Sequence, residues 1–395
     1  MTAAQIIFWL SAWALVHSYV AYPLILQFLL VLRGQKHFST FNNDDGELPT
    51  LSILMAAYNE EKVLEKKIRS VFATNYPGEK IEMLVGSDCS SDGTNMILEQ
   101  LALEFSQLKF TLFSQRQGKV NIINQLSEKA SGEILIITDA NVLLEPQTLF
   151  ETVKYFGDER VGLVDTHMTN YGIVKSGISF QEKSYISREV SVKDLESRAF
   201  GSMIGPFGGC FALRKTLFTK VPSTYLVDDF FICMNVLAQK HYAINSLTAL
   251  VYEDVSNILS VEFRRKIRIA MGNFQNLLHF RKLLWPPFTG LSFSFFSHKV
   301  LRWFGPFFLL AALVTNFILF NYSTFYRIAL VLQLFVTFLP FADIFLKKFQ
   351  IHIVLLRFAT HFYTMNLSLL IGFIKSLKGV KSNVWKPTER FQGEA

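Results

Sequence analysis

From Met1 to Leu32 the chain carries no charged side chain. Its apolar stretch is longer than the ~20 residues a helix needs to cross a hydrocarbon core. A segment of this kind cannot be stripped of water by one small soluble core, so residues 1–33 are predicted to form an N-terminal transmembrane helix. A cleaved leader would need a basic start, a shorter apolar run and a small-residue cleavage site, and none of these is present. Arg33 and Lys36 come just after the helix and nothing basic precedes it. Positive-inside logic therefore places the chain beyond Arg33 in the cytoplasm and the protein in the plasma (inner) membrane.

Composition enters as a check on this reading. Half of the 395 residues are hydrophobic, 18% are charged, and 39 are Phe, which is apolar surface enough to exclude disorder. The net charge of +7 could point to nucleic acid, but no recognition motif accompanies it. In a lipid-seeking chain it reads as cytoplasmic flanks facing anionic membrane lipids. Cys89, Cys210 and Cys233 are scattered without metal-ligand spacing, so neither a disulfide framework nor a Cys-ligated zinc site is indicated.

The C-terminal third repeats the membrane signal over residues 301–376. Trp303–Tyr326 carries no charge, Ile328–Leu346 only Asp343, and Ile351–Ile374 only Arg357. The first two stretches read as spans. The third also holds His352, His361 and Asn366, which are costly at membrane depth. The basic tail, residues 377–395, favours the cytoplasmic side. Two spans plus a tilted, re-entrant or surface-lying segment are therefore preferred over three full spans. Residues 259–300 are expected to lie at the interface as amphipathic helices, because Arg264, Arg265, Lys266 and Arg268 interleave with Phe263, Ile267 and Ile269.

Between Pro49 and about Ile258 the pattern changes. LSILMAA, IEMLVGSD and GEILIITDAN are short apolar runs separated by polar helical stretches, a βαβαβ rhythm. It predicts an α/β domain over 34–258 with a mostly parallel, Rossmann-like sheet, whose ligands gather at the strands' C-terminal ends. Polar residues sit at those ends: Ala57, Tyr58, Asn59 and Glu60 after the first strand, Asp88 after the second and Asp139 after EILIIT. Each acid taken singly reads as a helix cap. Three strand ends in register favour a nucleotide site.

These residues occur in an ordered set. AAYNEE, DCSSDGT, GKVNIIN, ASGEILIITDAN, GPFGGCFALR and VDDFF resemble, in that order, the membrane-integrated family 2 glycosyltransferases of GT-A fold, the branch of the cellulose, poly-N-acetylglucosamine and hyaluronan synthases. SHKVLRW and WKPTER also look like the flanks of related bacterial enzymes. The resemblance implies that Ala57, Tyr58, Asn59, Glu60 and Asp88 line the nucleobase and ribose pocket, with Lys119 beside the diphosphate. Asp139-Ala140-Asn141 matches the DxD motif, which holds Mg²⁺ or Mn²⁺ with hard oxygens. Here Asn141 replaces the second acid, and it coordinates without contributing charge. Asp228 and Asp229 match the acidic pair whose second member is the catalytic base. Gly209 and Cys210 fall in the acceptor wall. Arg265 and Arg268 stand where the family has QxxRW. The Arg survives at 268, where it could neutralise the leaving diphosphate; the Gln and Trp do not, which puts processive polymerisation in doubt.

The implied activity is an inverting sugar transfer from a nucleotide sugar, a UDP-sugar by preference, to a growing cell-surface polysaccharide or a lipid-linked acceptor, with export or synthase proteins as candidate partners. The competing reading is a catalytically silent, nucleotide-sensing subunit of a polysaccharide synthase or export complex, which Asn141 supports.

Overall fold

The computed structural model describes residues 1–42, 48–171, 179–254, 259–351, 353–380 and 383. The tail motif WKPTER lies outside the described residues. The chain divides into two compact units, one of residues 1–29, 174–185 and 257–379, the other of residues 30–173, 186–256 and 380–395.

The second unit holds the α/β sheet. Its strands are β1 (Leu51–Ala57), β2 (Ile81–Ser87), β3 (Leu108–Leu112), β4 (Ile134–Thr138), β5 (Val142–Leu144), β6 (Val161–Tyr171), β7 (Cys210–Arg214) and β8 (Tyr242–Asp254). They lie in the order β3-β2-β1-β4-β7-β6-β8-β5. The βαβαβ half, β3-β2-β1-β4, is parallel throughout. Beyond β4 the sheet is mixed, since β7 runs antiparallel to both neighbours and β5 antiparallel to β8. β1 and β4 are buried along their whole length, as strands covered on both faces must be. The register sets Ala57 beside Ser87 and Leu54 beside Ile137, so β1, β2 and β4 end together. That alignment brings Tyr58, Asp88 and Asp139 to one edge.

In chain order the helices are α1 (Ala3–Val16), α2 (Tyr22–Arg33), α3 (Leu64–Phe72), α4 (Thr94–Glu104), α5 (Lys119–Lys129), α6 (Thr148–Val153), α7 (Ser179–Phe200), α8 (Asp228–Ala238), α9 (Leu259–Phe280), α10 (Gly290–Ser294), α11 (Leu301–Trp303), α12 (Gly305–Ile318), α13 (Thr324–Lys347) and α14 (Val354–Ser376).

The first unit is helical. Ala3–Arg33, α13 and α14 are each long and apolar enough to cross a membrane. Residues Gly290–Trp303 and α12 form a pair bent by 62° that could be one broken span or a re-entrant loop. The helices therefore differ from the expected pattern in one respect. Of the stretch expected to be tilted, re-entrant or surface-lying, residues 354–374 lie in the regular 23-residue helix α14 and His352 lies outside the described residues, while Trp303–Tyr326 is divided by the turn between α12 and α13. The polar groups of the third stretch are accommodated because protein covers them: His361 and Asn366 are buried. On α9 the basic face also differs from a purely lipid-facing one. Lys266 lies 2.7 Å from Glu182 and 3.4 Å from Glu262, and Arg265 lies 3.5 Å from Glu262, so Arg265 and Lys266 are partnered by protein carboxylates.

Candidate active site

Asp88 is fully buried just past β2. Its Oδ2 accepts from Arg116 Nε at 3.0 Å and from the Gly118 backbone N–H at 3.1 Å, and its Oδ1 accepts from the Gln117 N–H. One carboxylate thus ties down the whole turn that leads into α5. The Arg116 guanidinium in turn lies 3.3 Å from the centre of the Tyr58 ring, a stacked cation–π contact. Asn59 has a different occupation from the one expected. Its φ is +54°, and its amide exchanges hydrogen bonds with Ser91 while its backbone N–H donates to Ser90. Asn59 therefore ties the β1 loop to the loop after β2. Glu60 adds a backbone N–H donated to Thr94. Ala57 is buried, and its carbonyl accepts from Asp88, so it shapes the floor through its backbone.

The turn that Asp88 holds delivers Lys119 to the centre. Lys119 Nζ donates to Asp139 Oδ1 at 2.7 Å and lies 3.7 Å from Asp228 Oδ2. One ammonium thus draws the end of β4 and the first turn of α8 together. Burial opposes its charge, but Asp139 and Asp228 hold the ammonium above its ordinary range.

Asp228 and Asp229 open α8, where the helix dipole favours acids. A helix-start role and a functional role for this pair are therefore compatible. Asp229 Oδ1 accepts from the Phe230 N–H at 2.7 Å. Burial, and then the neighbouring charge of Asp228, push the Asp229 carboxyl up to about 7 against the pull of Lys119. Its other oxygen faces Gly208. That residue has a φ of +67°, and a Cβ there would meet Asp229 Cγ at 3.0 Å and Oδ2 closer still. Glycine is required on both counts, conformation and space.

The Asp139 triplet lies in the tight connection from β4 to β5. The Asp139 N–H donates to the Gly209 carbonyl at 2.9 Å, and Thr138 Oγ1 donates to the same carbonyl at 3.0 Å. From beneath, Lys67 Nζ reaches Thr138 Oγ1 at 2.9 Å and the Val142 carbonyl at 2.5 Å, bracketing the triplet on both sides. Lys67 is fully buried, and burial pulls its ammonium down to about 8. Asn141 Nδ2 donates to Glu253 Oε1 at 3.1 Å.

One expectation is corrected. Cys210 is 1% exposed inside β7, a strand buried on both faces along its first four residues, so it cannot face an acceptor. Gly209 serves through its carbonyl, and a side chain there would strike Met168. Arg265 and Arg268 lie on α9 and belong to the helical unit, whereas the cluster around Lys119 belongs to the α/β unit.

Arg116, Lys67 and Glu253 are not among the residues that the motifs single out. Arg116 stands three residues before Lys119, at the mouth of a recognised segment. Lys67 falls on the buried stripe of α3 with Leu64, Ile68 and Val71, a spacing that marks an inward lysine. Nothing local marks Glu253, which is brought to the triplet only by the pairing of Val142 with Glu253 across β5 and β8.

Asp139 and the Asn141 amide are hard oxygen donors. Among the described residues no three His, Cys, Asp or Glu side chains gather as a metal cage. The donor set thus fits a divalent cation completed by ligand phosphates, the pattern Mg²⁺ commonly adopts.

Residues 52–221 match the family model "Glycosyl transferase family 2". Beta-monoglucosyldiacylglycerol synthase of Trichormus variabilis is 38% identical over 121 residues, covering 30% of this chain and 26% of that protein. Poly-beta-1,6-N-acetyl-D-glucosamine synthase of Staphylococcus aureus is 24% identical over 241 residues, covering 59% and 56%. The chain thus spans between about a quarter and a little over half of these relatives' length. Among solved structures, the mannosyltransferase PcManGT of Pyrobaculum calidifontis, in complex with GDP-Man and Mn²⁺, superposes with a TM-score of 0.71 at 20% identity, over 95% of this chain and 99% of that one. That likeness establishes the fold. The mixed α/β sheet is GT-A-like, residues 52–221 are similar to family 2 glycosyltransferases, and the N- and C-terminal parts of the chain hold apolar helices that could span a membrane.

Proposed function

We propose that this chain is a membrane-integrated, inverting glycosyltransferase that moves a sugar from a nucleotide sugar, a UDP-sugar by preference, to a glycan or lipid-linked acceptor at the membrane. The observation that carries this reading is the junction at Lys119, which holds Asp139 on one side and the Asp228–Asp229 pair on the other. A carboxylate poised near neutrality beside a cation-lined diphosphate subsite is what a one-step displacement at an anomeric carbon needs.

In this mechanism the Arg116–Tyr58 stack and the turn held by Asp88 receive the nucleoside. Lys119 offsets diphosphate charge as the nucleotide departs. Asp229 takes the proton of the acceptor hydroxyl as its oxygen attacks the anomeric carbon from the face opposite the leaving group, which inverts that centre. Burial, and then the charge of Asp228, keep the Asp229 carboxyl basic enough for the task. A divalent cation, Mg²⁺ or Mn²⁺ held by Asp139 and Asn141, supplies further neutralisation of the diphosphate when bound.

The same reading sets the catalytic unit on the cytoplasmic face, because Arg33 and Lys36 come directly after the first span. The tail supports that side. Asn383 sits against Gly118 within the α/β unit, which supports a tail on the same side as the transferase. An even number of crossings, α13 and α14, satisfies this with the bent pair re-entrant.

The test is nucleotide release by the full chain in nanodiscs, across UDP-, GDP- and dTDP-sugars, with Mg²⁺, Mn²⁺ or chelator, with a lipid fraction supplied. Release with one donor, and loss of it under chelation, is expected. Long products would assign polymer synthesis and one-sugar adducts single transfer. Silence with every donor despite nucleotide binding would overturn the enzyme reading in favour of a sensing subunit.

Gly208→Ala is expected to strain the loop by about 1–2 kcal/mol and to displace Asp229. Transfer should fall roughly 10²-fold with nucleotide affinity unchanged. Comparing kcat with nucleotide Kd checks this, and an unchanged kcat would show that the close approach does not position Asp229.

A further inference from the structure

Asn141 lacks the charge expected of the second residue in an acidic metal motif, and the structure shows what accompanies that exchange. Glu253, 7% exposed on β8, accepts the Asn141 Nδ2 proton at 3.1 Å, and Asn141 itself is 6% exposed. A carboxylate only accepts, so the amide nitrogen must face Glu253 and the amide oxygen must face away. Among the described residues no donor is hydrogen-bonded to Asn141 Oδ1. The triplet is clamped from beneath by Lys67 at Thr138 and Val142, and backbone pairing sets Glu253 opposite Val142. The backbone on both sides thus keeps Asn141 and Glu253 within reach of each other, and the orientation of the amide is left to Glu253.

We infer that Glu253 is a positioning residue for the metal-diphosphate subsite: it fixes the orientation of the Asn141 amide so that Oδ1 serves the cation, and it returns behind the amide the negative charge that Asn141 does not carry. This rests on the proposed transferase reading. It explains how an asparagine can stand in the motif without disabling it. A hydrogen-bonded carboxylate polarises an amide oxygen toward the metal, in the way that outer carboxylates orient and tune metal-bound imidazoles.

The test is Mn²⁺ binding by the full chain in nanodiscs, read by the electron paramagnetic resonance of free Mn²⁺ with UDP or GDP present and no sugar or acceptor. Nucleotide binding in chelator is measured on the same samples as a control for folding. Glu253→Gln is expected to weaken Mn²⁺ about 10–100-fold, because a glutamine amide lets Asn141 turn over. Asn141→Asp alone sets two carboxylates against each other and is expected not to improve on the parent chain. The double variant Asn141→Asp/Glu253→Gln restores a donor–acceptor pair with its polarity reversed and carries the charge directly, so its affinity should return to near the parent value. That reciprocal rescue is the signature of orientation, and a role confined to strand packing would not produce it.

Parent-like Mn²⁺ binding by Glu253→Gln, or equal tightening by Asn141→Asp with and without the second change, would overturn the inference while leaving the transferase reading standing. If Glu253→Gln loses nucleotide binding in chelator as well, the double variant decides: failure to rescue overturns the inference. If the parent chain binds no Mn²⁺ with either nucleotide, the metal part of the functional reading falls, and this inference with it.

Discussion

Asp229→Asn is expected to lower sugar transfer by about 10²–10⁴-fold, the usual contribution of a positioned base, while nucleotide affinity stays near its parent value. The substitution keeps shape and removes the one group placed to take the acceptor's proton. The environment of the carboxyl supplies two further readouts. Since burial and Asp228 push Asp229 up to about 7, transfer by the parent chain should rise as pH passes through that value, and the residual rate of the variant should lack this limb. The sign for stability is opposite. A carboxyl whose folded pKa is raised contributes stability that is fully present below the ordinary carboxylate range and is lost as pH rises through about 7. Asp229→Asn should therefore match or exceed the parent in thermal stability at pH 8. A variant that is inactive and also much less stable would point to damage in α8. A variant of full activity would remove Asp229 from the mechanism.

Lys193→Met is expected to give the largest loss of stability. Lys193 and Asp165 are 1% and 0% exposed and 2.5 Å apart, and Asp165 also accepts from the backbone N–H groups of Thr166 and Phe207. Both groups are cut off from water, so removing the lysine leaves the buried carboxyl without its counter-charge. Breaking one side of such a pair costs about 3–5 kcal/mol, which for a unit of this size corresponds to a fall in Tm of about 6–20 °C. The Lys193 ammonium also lies 3.5 Å from the Phe207 ring centre. The variant should therefore loosen the loop through Gly208 that borders Asp229. Adding Asp165→Leu should recover much of the Tm, since apolar replacements of buried pairs are often neutral. It should recover less of the transfer rate, because the contact to Phe207 is gone. Thermal unfolding in nanodiscs with a parallel rate measurement separates the two effects. An unchanged Tm for Lys193→Met would show that the pair does not hold the loop.

The βαβαβ rhythm and the strand-end acids are legible in the sequence because they are local. Apolar runs short enough to be strands, with Asp88 and Asp139 at their C-terminal ends, leave few arrangements open once successive strands pair in parallel. The acidic pair at 228 and 229 is legible for the same reason, since a helix start and a catalytic carboxylate favour the same residues at the same place. The first apolar helix and α13 also follow from composition along the chain alone.

Other features depend on segments far apart in sequence. The second half of the sheet is mixed because β7 inserts antiparallel between β4 and β6, an order that no local pattern records. Cys210 stands in a motif that suggests an acceptor neighbour, yet β7 lies inside the sheet with both faces covered. Asn59 and Asp88 have the motif positions of nucleotide contacts, whereas their hydrogen bonds are spent on Ser91 and on the turn before Lys119. Lys67 acquires its place under the Asp139 triplet only when α3 packs against the sheet. Glu253 has no signal at all, because its role exists only once β8 lies beside β5. Which residue types can carry the chemistry, and which segments seek lipid, are properties of single residues and short runs, so both can be read along the chain. Which carboxylates share one ammonium, which are filled by the backbone, and which one orients Asn141 come only with the fold, because they are set by distances between atoms brought together from positions more than a hundred residues apart.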